Sequence, residues 1–373
     1  MAHLMIAAGG TGGHVYPALA VAEVLRKSAD AHKLVFIGTR GGGGFEKRLV
    51  DASQISFDAY REVFAGPIVG VNPLRAVSSV FKMGLGLMQS LSYILRDRPQ
   101  AILLTGGWAN VPLAVAGWVM RIPMLVYLPD IEPGTTIRVL GRFVEKIATT
   151  VPESEQYFRD GQTVTTGYPL RDAVTSASKQ EAIKHFDLNP ELRTLLVTGG
   201  SRGARTINIA LGNILSDLLQ EAVQVIHVSG TVDYERTREH VSDWLTHPNY
   251  HLFEYLDSAE MGLAFASSDI VLGRSGASSL GEFPYFGSAS ILVPYPYAWR
   301  YQRVNADWLA ERGAGIRMDD DTMENELLPT LQKLVRDDTY LSQIQACAKS
   351  LFTGNGSENI AQELLALAGG TSE

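Results

Sequence analysis

The sequence predicts an α/β protein of two Rossmann-like domains, each a parallel β-sheet wrapped by helices. Three observations lead there. Short apolar runs alternate with longer helical patterns along all 373 residues, the order that builds parallel sheets. That length exceeds one ordinary core of roughly 100 to 200 residues. Finally, the two halves open alike: an apolar run at 4–8 leads into Gly9-Gly10-Thr11-Gly12-Gly13-His14, and another at 195–198 into Gly199-Gly200-Ser201-Arg202-Gly203-Ala204-Arg205.

Taken in order, strands are predicted over 4–8, 33–38, 101–105, 124–128 and 146–151 in the first half, and over 194–198, 223–229, 252–256, 269–273 and 290–293 in the second. Pro17 suits a first helical turn, so the first helix is predicted from near Pro17 to Lys27. The tail from Thr322 onward reads as helical. Turn chemistry in Gly167-Tyr168-Pro169-Leu170-Arg171, then a polar helix-prone segment over 176–192, places the boundary near Pro169. The expected domains are therefore 1–168 and 169–373, the last helix packing back on the first domain.

Composition narrows the classes. Apolar residues make up 46% and charged residues 19%, a globular balance. Cys347 is the only cysteine and cannot form an internal disulfide, so a reducing setting is expected. The first residues lack the basic start and apolar stretch of a signal peptide. The apolar stretches at 77–95 and 111–128 are interrupted by Lys82 and Gln89 in one and by Arg121-Ile122-Pro123 in the other, which argues against a spanning helix. Net charge is −8 overall, but it is +4 over 1–171 and −12 beyond. The acidic total speaks against a nucleic-acid partner. Between Arg75 and Arg98, the basic residues Arg75, Lys82, Arg96 and Arg98 mix with residues such as Val80, Phe81, Leu85 and Met88. The pattern fits either a helix attracted to anionic lipid or an ordinary amphipathic cover for the sheet.

Five of the six residues from Gly9 to His14 are glycine or threonine, between a strand and a helix. Such a loop offers bare N–H groups at a positive helix end, where phosphate or a developing oxyanion is held; the lesser alternative is a tight turn. It is not the dinucleotide fingerprint, because the third glycine falls at Val15 and the second strand ends in Gly38-Thr39 instead of an acid. His14 closes the loop, either as a neutral imidazole accepting a proton or as a local packing residue. Residues 199–205 offer the same chemistry for a diphosphate. In Arg274-Ser275-Gly276-Ala277-Ser278-Ser279-Leu280-Gly281-Glu282, the acid fits two ribose hydroxyls, or else a capping box with Ser279. The aromatic and amide-rich run from Tyr295 to Asn305 suits sugar faces and hydroxyls, or a partner surface. Asp319-Asp320-Asp321 reads as a solvated turn more readily than as a metal site, and no cluster has metal-ligand spacing.

With these motifs in hand, the sequence resembles the peptidoglycan UDP-N-acetylglucosamine transferases of glycosyltransferase family 28 over nearly its whole length. The likeness rests on the loops at Gly9, at Gly106-Gly107-Trp108 and at Gly199, on Gly167-x-Pro169-x-Arg171, on the signature from Arg274 to Glu282, and on Gln302 with Asn305. It implies a GT-B fold with two domains facing across a cleft, and an inverting transfer of N-acetylglucosamine from UDP-GlcNAc without metal or cofactor. The implied acceptor is a polyprenyl-linked membrane lipid, lipid I becoming lipid II, at the cytoplasmic face of an anionic membrane. For the donor it implies Thr11, Gly12, Gly13, Arg171, Ser201, Arg202, Gly203 and Leu256, then Arg274, Ala277, Ser278, Ser279, Glu282, Gln302 and Asn305. For the acceptor it implies Gly106, Gly107 and Trp108. Two departures stand out. Where the family carries His-Glu-Gln-Asn, this chain reads Tyr127-Leu128-Pro129-Asp130-Ile131-Glu132, and where it carries two glutamines, Tyr301-Gln302 stands. Asp130 and Glu132 thereby join His14 as candidate catalytic bases.

Overall fold

The computed structural model describes residues 1–40, 44–67, 71–200, 202–297 and 300–369. The chain divides into two compact units, Met1–Arg171 together with the segment from Gly354, and Asp172–Thr353. The first contains β1 (His3–Ala7), α1 (Gly12–Lys27), β2 (Lys33–Arg40), α2 (Phe45–Ala52), β3 (Ala59–Phe64), α3 (Pro73–Asp97), β4 (Ala101–Leu104), α4 (Asn110–Val119), β5 (Met124–Leu128), α5 (Thr135–Leu140), β6 (Lys146–Thr149) and β7 (Thr163–Thr165). Its strands lie all parallel in the order β3-β2-β1-β4-β5-β6-β7. The central strands are buried on both faces, which is why they read as unbroken apolar runs such as Leu4-Met5-Ile6 and Ile102-Leu103-Leu104.

The second unit contains α6 (Asp172–Thr175), α7 (Lys179–Phe186), β8 (Arg193–Thr198), α8 (Arg205–Leu218), β9 (Val223–Val228), α9 (Tyr234–His240), β10 (Tyr250–Phe253), α10 (Ser258–Ser267), β11 (Ile270–Gly273), α11 (Glu282–Phe286), β12 (Ala289–Leu292), α12 (Tyr301–Glu311), β13 (Gly315–Arg317), α13 (Met323–Arg336) and α14 (Asp338–Ser350). Its sheet is also parallel, ordered β10-β9-β8-β11-β12-β13. The last helix, α15 (Gly356–Gly369), belongs to the first unit and packs on α1, β4 and β5.

Two features depart from the sequence expectation. Helix α1 begins at Gly12, with Pro17 inside it; the proline forgoes one hydrogen bond to the Gly13 carbonyl, a small loss beside the burial of Val15, Leu19, Val21 and Leu25. Strands β3, β7 and β13 went unpredicted. β3 is an edge strand whose Arg61 and Glu62 interrupt the apolar run, and the other two have three residues each. The Arg75–Arg98 stretch forms the amphipathic α3, which packs on β3 and α4 and leaves apolar residues on its outer face. One face of α3 is packed, Gly86 allowing close approach to the Phe64 backbone and Ile94 being buried, while Leu74, Val77, Phe81 and Met88 on the other are 67 to 85% exposed.

Candidate active site

In an open parallel sheet, ligands bind beyond the carboxyl ends of the strands where the strand order reverses. In the second unit that point lies between β8 and β11. The loop after β8 turns at Gly200 and Gly203, with φ of +81° and +84°. A side chain on Gly203 would collide with the Ser229 carbonyl oxygen, which already accepts a 3.0 Å hydrogen bond from Asn208 Nδ2. Helix α8 follows, and its cap residue, Ala204, supplies no side-chain hydrogen bond to the N–H groups of the first turn, which are the groups an anion would meet at a helix start.

Beyond β11, Arg274, Ser275 and Gly276 lead into a 3₁₀ turn over Ala277–Leu280. Ser279 Oγ donates to the Gly276 carbonyl at 2.6 Å, and Gly281 stands at the cap of α11, so the Ser279–Glu282 capping box does not form. Glu282 occupies the first position of α11 and is half-buried. Helix α12 is tied to this loop: Ser275 Oγ donates to the Gln302 carbonyl at 2.8 Å and Asn305 Nδ2 to the Ser275 carbonyl at 3.2 Å. Gln302 Oε1 also accepts from the Tyr295 N–H at 2.9 Å.

The first unit repeats the plan between β1 and β4. Gly9 N donates to the Gly106 carbonyl at 3.2 Å, and Gly107, with φ +90°, lies so close to Gly9 that no side chain would fit. His14 lies against Gly106, where an added Cβ would stand 2.6 Å from its ring. Its Nδ1 is 3.0 Å from the Gly9 carbonyl oxygen and 3.4 Å from Thr11 Oγ1. Burial holds its pKa below the usual 6.5, against a weaker upward pull from that carbonyl. A carbonyl only accepts, so Nδ1 carries the proton of the neutral ring and Nε2 keeps the lone pair. Arg171 stacks its guanidinium 4.1 Å over the ring of Tyr16 in α1. Past β5, Asp130 is half-buried, and Glu132 lies 3.5 Å from Arg138.

The family 28 N-terminal domain matches residues 4–149, and the family 28 C-terminal domain matches residues 194–364. A UDP-N-acetylglucosamine–N-acetylmuramyl-(pentapeptide) pyrophosphoryl-undecaprenol N-acetylglucosamine transferase of Roseiflexus sp. (strain RS-1) is 36% identical, covering 84% of this chain and 82% of its own length. The chain belongs to glycosyltransferase family 28, in the MurG family. A Moorella thermoacetica protein of the same name is 33% identical over 97% of this chain and 98% of its own. The crystal structure of Acinetobacter baumannii MurG superposes with a TM-score of 0.77 at 24% identity, covering 98% of this chain and all of that one. The GT-B class expected from the sequence is therefore the class observed.

On this MurG-family framework the predicted glycine loops fall at the two switch points, whereas Asp130 and Glu132 follow β5, Leu256 follows β10 and Arg171 closes the first unit. Thr11, Gly12, Gly13 and His14 begin α1, facing the loop that carries Gly106, Gly107 and Trp108. Arg202 is exposed, Gly203 is half-buried, and Ser201 lies outside the described residues, as do Ala298 and Trp299 of the aromatic run. Ala277, Ser278 and Gln302 are partly exposed, whereas Leu256, Ser279 and Asn305 are buried and hold the surrounding loops. Asp319 and Asp320 do more than sit in solvent: Asp319 is 2.8 Å from Arg317, and Asp320 is 2.7 Å from Arg274.

Sequence reasoning missed three residues here. Glu46, only 2% exposed, accepts the Gly10 N–H at 2.9 Å. Asn110 Nδ2 donates to the carbonyls of Gly106 at 2.7 Å and Ala7 at 3.3 Å, stitching the two glycine loops together. Tyr16 supports Arg171. The available signal was polarity at positions just after glycine loops, where a buried polar side chain has orphan backbone groups to satisfy.

Proposed function

We propose that this MurG-family chain transfers N-acetylglucosamine from UDP-GlcNAc to lipid I, giving lipid II. The observation that carries the reading is the switch point of the second unit. There an N-terminus without a side-chain cap offers N–H groups for a diphosphate, and the loop from the neighbouring strand ends on the half-exposed carboxylate of Glu282, suited to a ribose. Dehydrogenase chemistry lacks its fingerprint here, and relatives from Roseiflexus, Natranaerobius and Moorella at 36%, 30% and 33% identity bear the transferase name.

The reaction is a single in-line displacement at the anomeric carbon. Nε2 of His14 accepts the proton of the acceptor hydroxyl, with Asp130 and Glu132 as the alternatives, and the oxygen attacks as the bond to UDP breaks. The charge that develops on the leaving diphosphate is met by the amides of the Gly200–Ala204 loop and by Arg171, while Arg274 fixes the loop beside them. UDP-GlcNAc enters as a substrate, and the scheme calls on no cofactor.

The acceptor sits in a membrane, and we place the chain at its cytoplasmic face. No helix among the described residues is long and apolar enough to cross a membrane. Helix α3 instead presents its exposed apolar face with Arg75, Lys82 and Arg96, Arg98 follows at its cap, and Trp118 and Val119 on the neighbouring α4 are more than half exposed. That combination inserts into the headgroup boundary of an anionic bilayer.

One assay tests both parts. Labelled UDP-sugars are offered with lipid I, a diacylglycerol or a bare polyprenyl phosphate in anionic vesicles. We expect label from UDP-GlcNAc on lipid I alone, and we expect charge reversal of Arg75, Lys82 and Arg96 to release the protein from the vesicles. Label on a non-muramyl lipid would replace the acceptor, and UDP binding without transfer would make the chain a non-catalytic paralogue. Unchanged sedimentation of the reversed variant would remove α3 from the membrane.

A further inference from the structure

Three loops of the second unit converge on one carboxylate. Asp320, in the turn after β13, is 2.7 Å through Oδ1 and 3.3 Å through Oδ2 from the two terminal nitrogens of Arg274, at the end of β11. Thr206, in the first turn of α8, donates its hydroxyl to the same Oδ1 at 2.9 Å. Arg274 Nη2 reaches Thr206 Oγ1 at 2.8 Å, and Nη1 reaches the carbonyls of Val293 at 3.2 Å and Pro294 at 3.3 Å, beyond β12. The guanidinium lies 5.4 Å from the ring centre of Tyr295. The Arg274 and Asp320 side chains are 11% and 17% exposed, so this pair is screened far less than a surface ion pair.

We infer that Asp320 is a positioning residue for the donor nucleotide, acting through Arg274 and Thr206. The inference rests on the reading of this site as the UDP subsite. Both terminal nitrogens of Arg274 already donate within the protein, so the arginine serves as a strut. It joins the loop of Ser275 to Glu282, where the ribose would lie, to the first turn of α8, where the diphosphate would lie. Asp320 supplies the fixed charge that holds the strut and the Thr206 hydroxyl in register. A nucleotide spanning both subsites needs that spacing set in advance, because ordering two loops at the moment of binding subtracts from affinity. The acidic run therefore serves the nucleotide site without touching a metal or the substrate.

The test uses the full-length chain and UDP itself as probe, by calorimetry, alongside steady-state kinetics. Asp320→Asn is expected to weaken UDP binding about tenfold and to raise the donor KM by a similar factor, with the acceptor KM little changed and the melting temperature lowered by the lost half of a shielded ion pair. Asp320→Glu restores most of the affinity. The Arg274→Ala, Asp320→Asn double variant is no worse than Arg274→Ala alone, since the two act as one unit. Thr206→Val removes the hydroxyl's contacts with both Asp320 and Arg274 without unbalancing a charge, so it reports a smaller loss should Asp320→Asn fail to fold. UDP binding by Asp320→Asn that is unchanged or tighter overturns the inference, tighter binding meaning that Asp320 restrains Arg274 from the diphosphate. A fall in melting temperature with an unmoved donor KM overturns it too. Wild-type protein that fails to bind UDP refutes the donor-site reading itself, a separate result.

Discussion

His14→Gln is expected to lower kcat by about a hundredfold to ten-thousandfold, the range general bases supply, while leaving the donor KM nearly unmoved. Glutamine keeps a polar group of similar reach but has no lone pair basic enough to take a proton. The pH profile carries a second signature. Burial favours the neutral ring, so wild-type kcat/KM stays level near neutral pH and falls only as the solution drops through a pKa lying below 6.5. Protonation then occupies Nε2 and removes the base. In the variant this acid limb disappears. A rate within a few-fold of wild type would pass the role to Asp130 or Glu132, of which Glu132 is already held near Arg138.

Gly203→Ala is expected to abolish measurable UDP binding at concentrations that saturate the wild type. Two costs combine. A φ of +84° disfavours any side chain by about 1 to 2 kcal/mol, and the new methyl meets the Ser229 carbonyl, which Asn208 holds in place. The loop relieves the overlap by moving away from β9, and the amides at the start of α8 move with it. Calorimetry with UDP reads the loss. Circular dichroism shows whether the sheet, with β11 and the middle of β8 buried, persists. Wild-type affinity in a folded Gly203→Ala chain would mean that the diphosphate does not use this loop.

The fold was legible wherever burial is two-sided. β1, β4, β5, β8 and β11 announce themselves as short apolar runs because both faces of each are covered by helices. β3 escaped because an edge strand tolerates Arg61 and Glu62, and α1 began early because a glycine-rich start carries no helical periodicity. The site was legible where backbone conformation demands glycine, at Gly107, Gly200 and Gly203. It was illegible where a partner comes from far along the chain. Asp320 reaches Arg274 across 46 positions and Glu46 reaches Gly10 across 36, and no local pattern predicts either pairing. The serine and acid of the 274–282 signature fitted a capping box equally well by spacing. Only the 3₁₀ turn at 277–280, which hands Ser279 to the Gly276 carbonyl, removes that alternative.

The most direct measurement is a crystal structure of the chain grown with UDP-GlcNAc. The account predicts diphosphate density against the amides of residues 200–205, with Glu282 within hydrogen-bond distance of both ribose hydroxyls. Nucleotide bound elsewhere, or a Glu282 carboxylate that contacts none of it, would contradict the account at its centre.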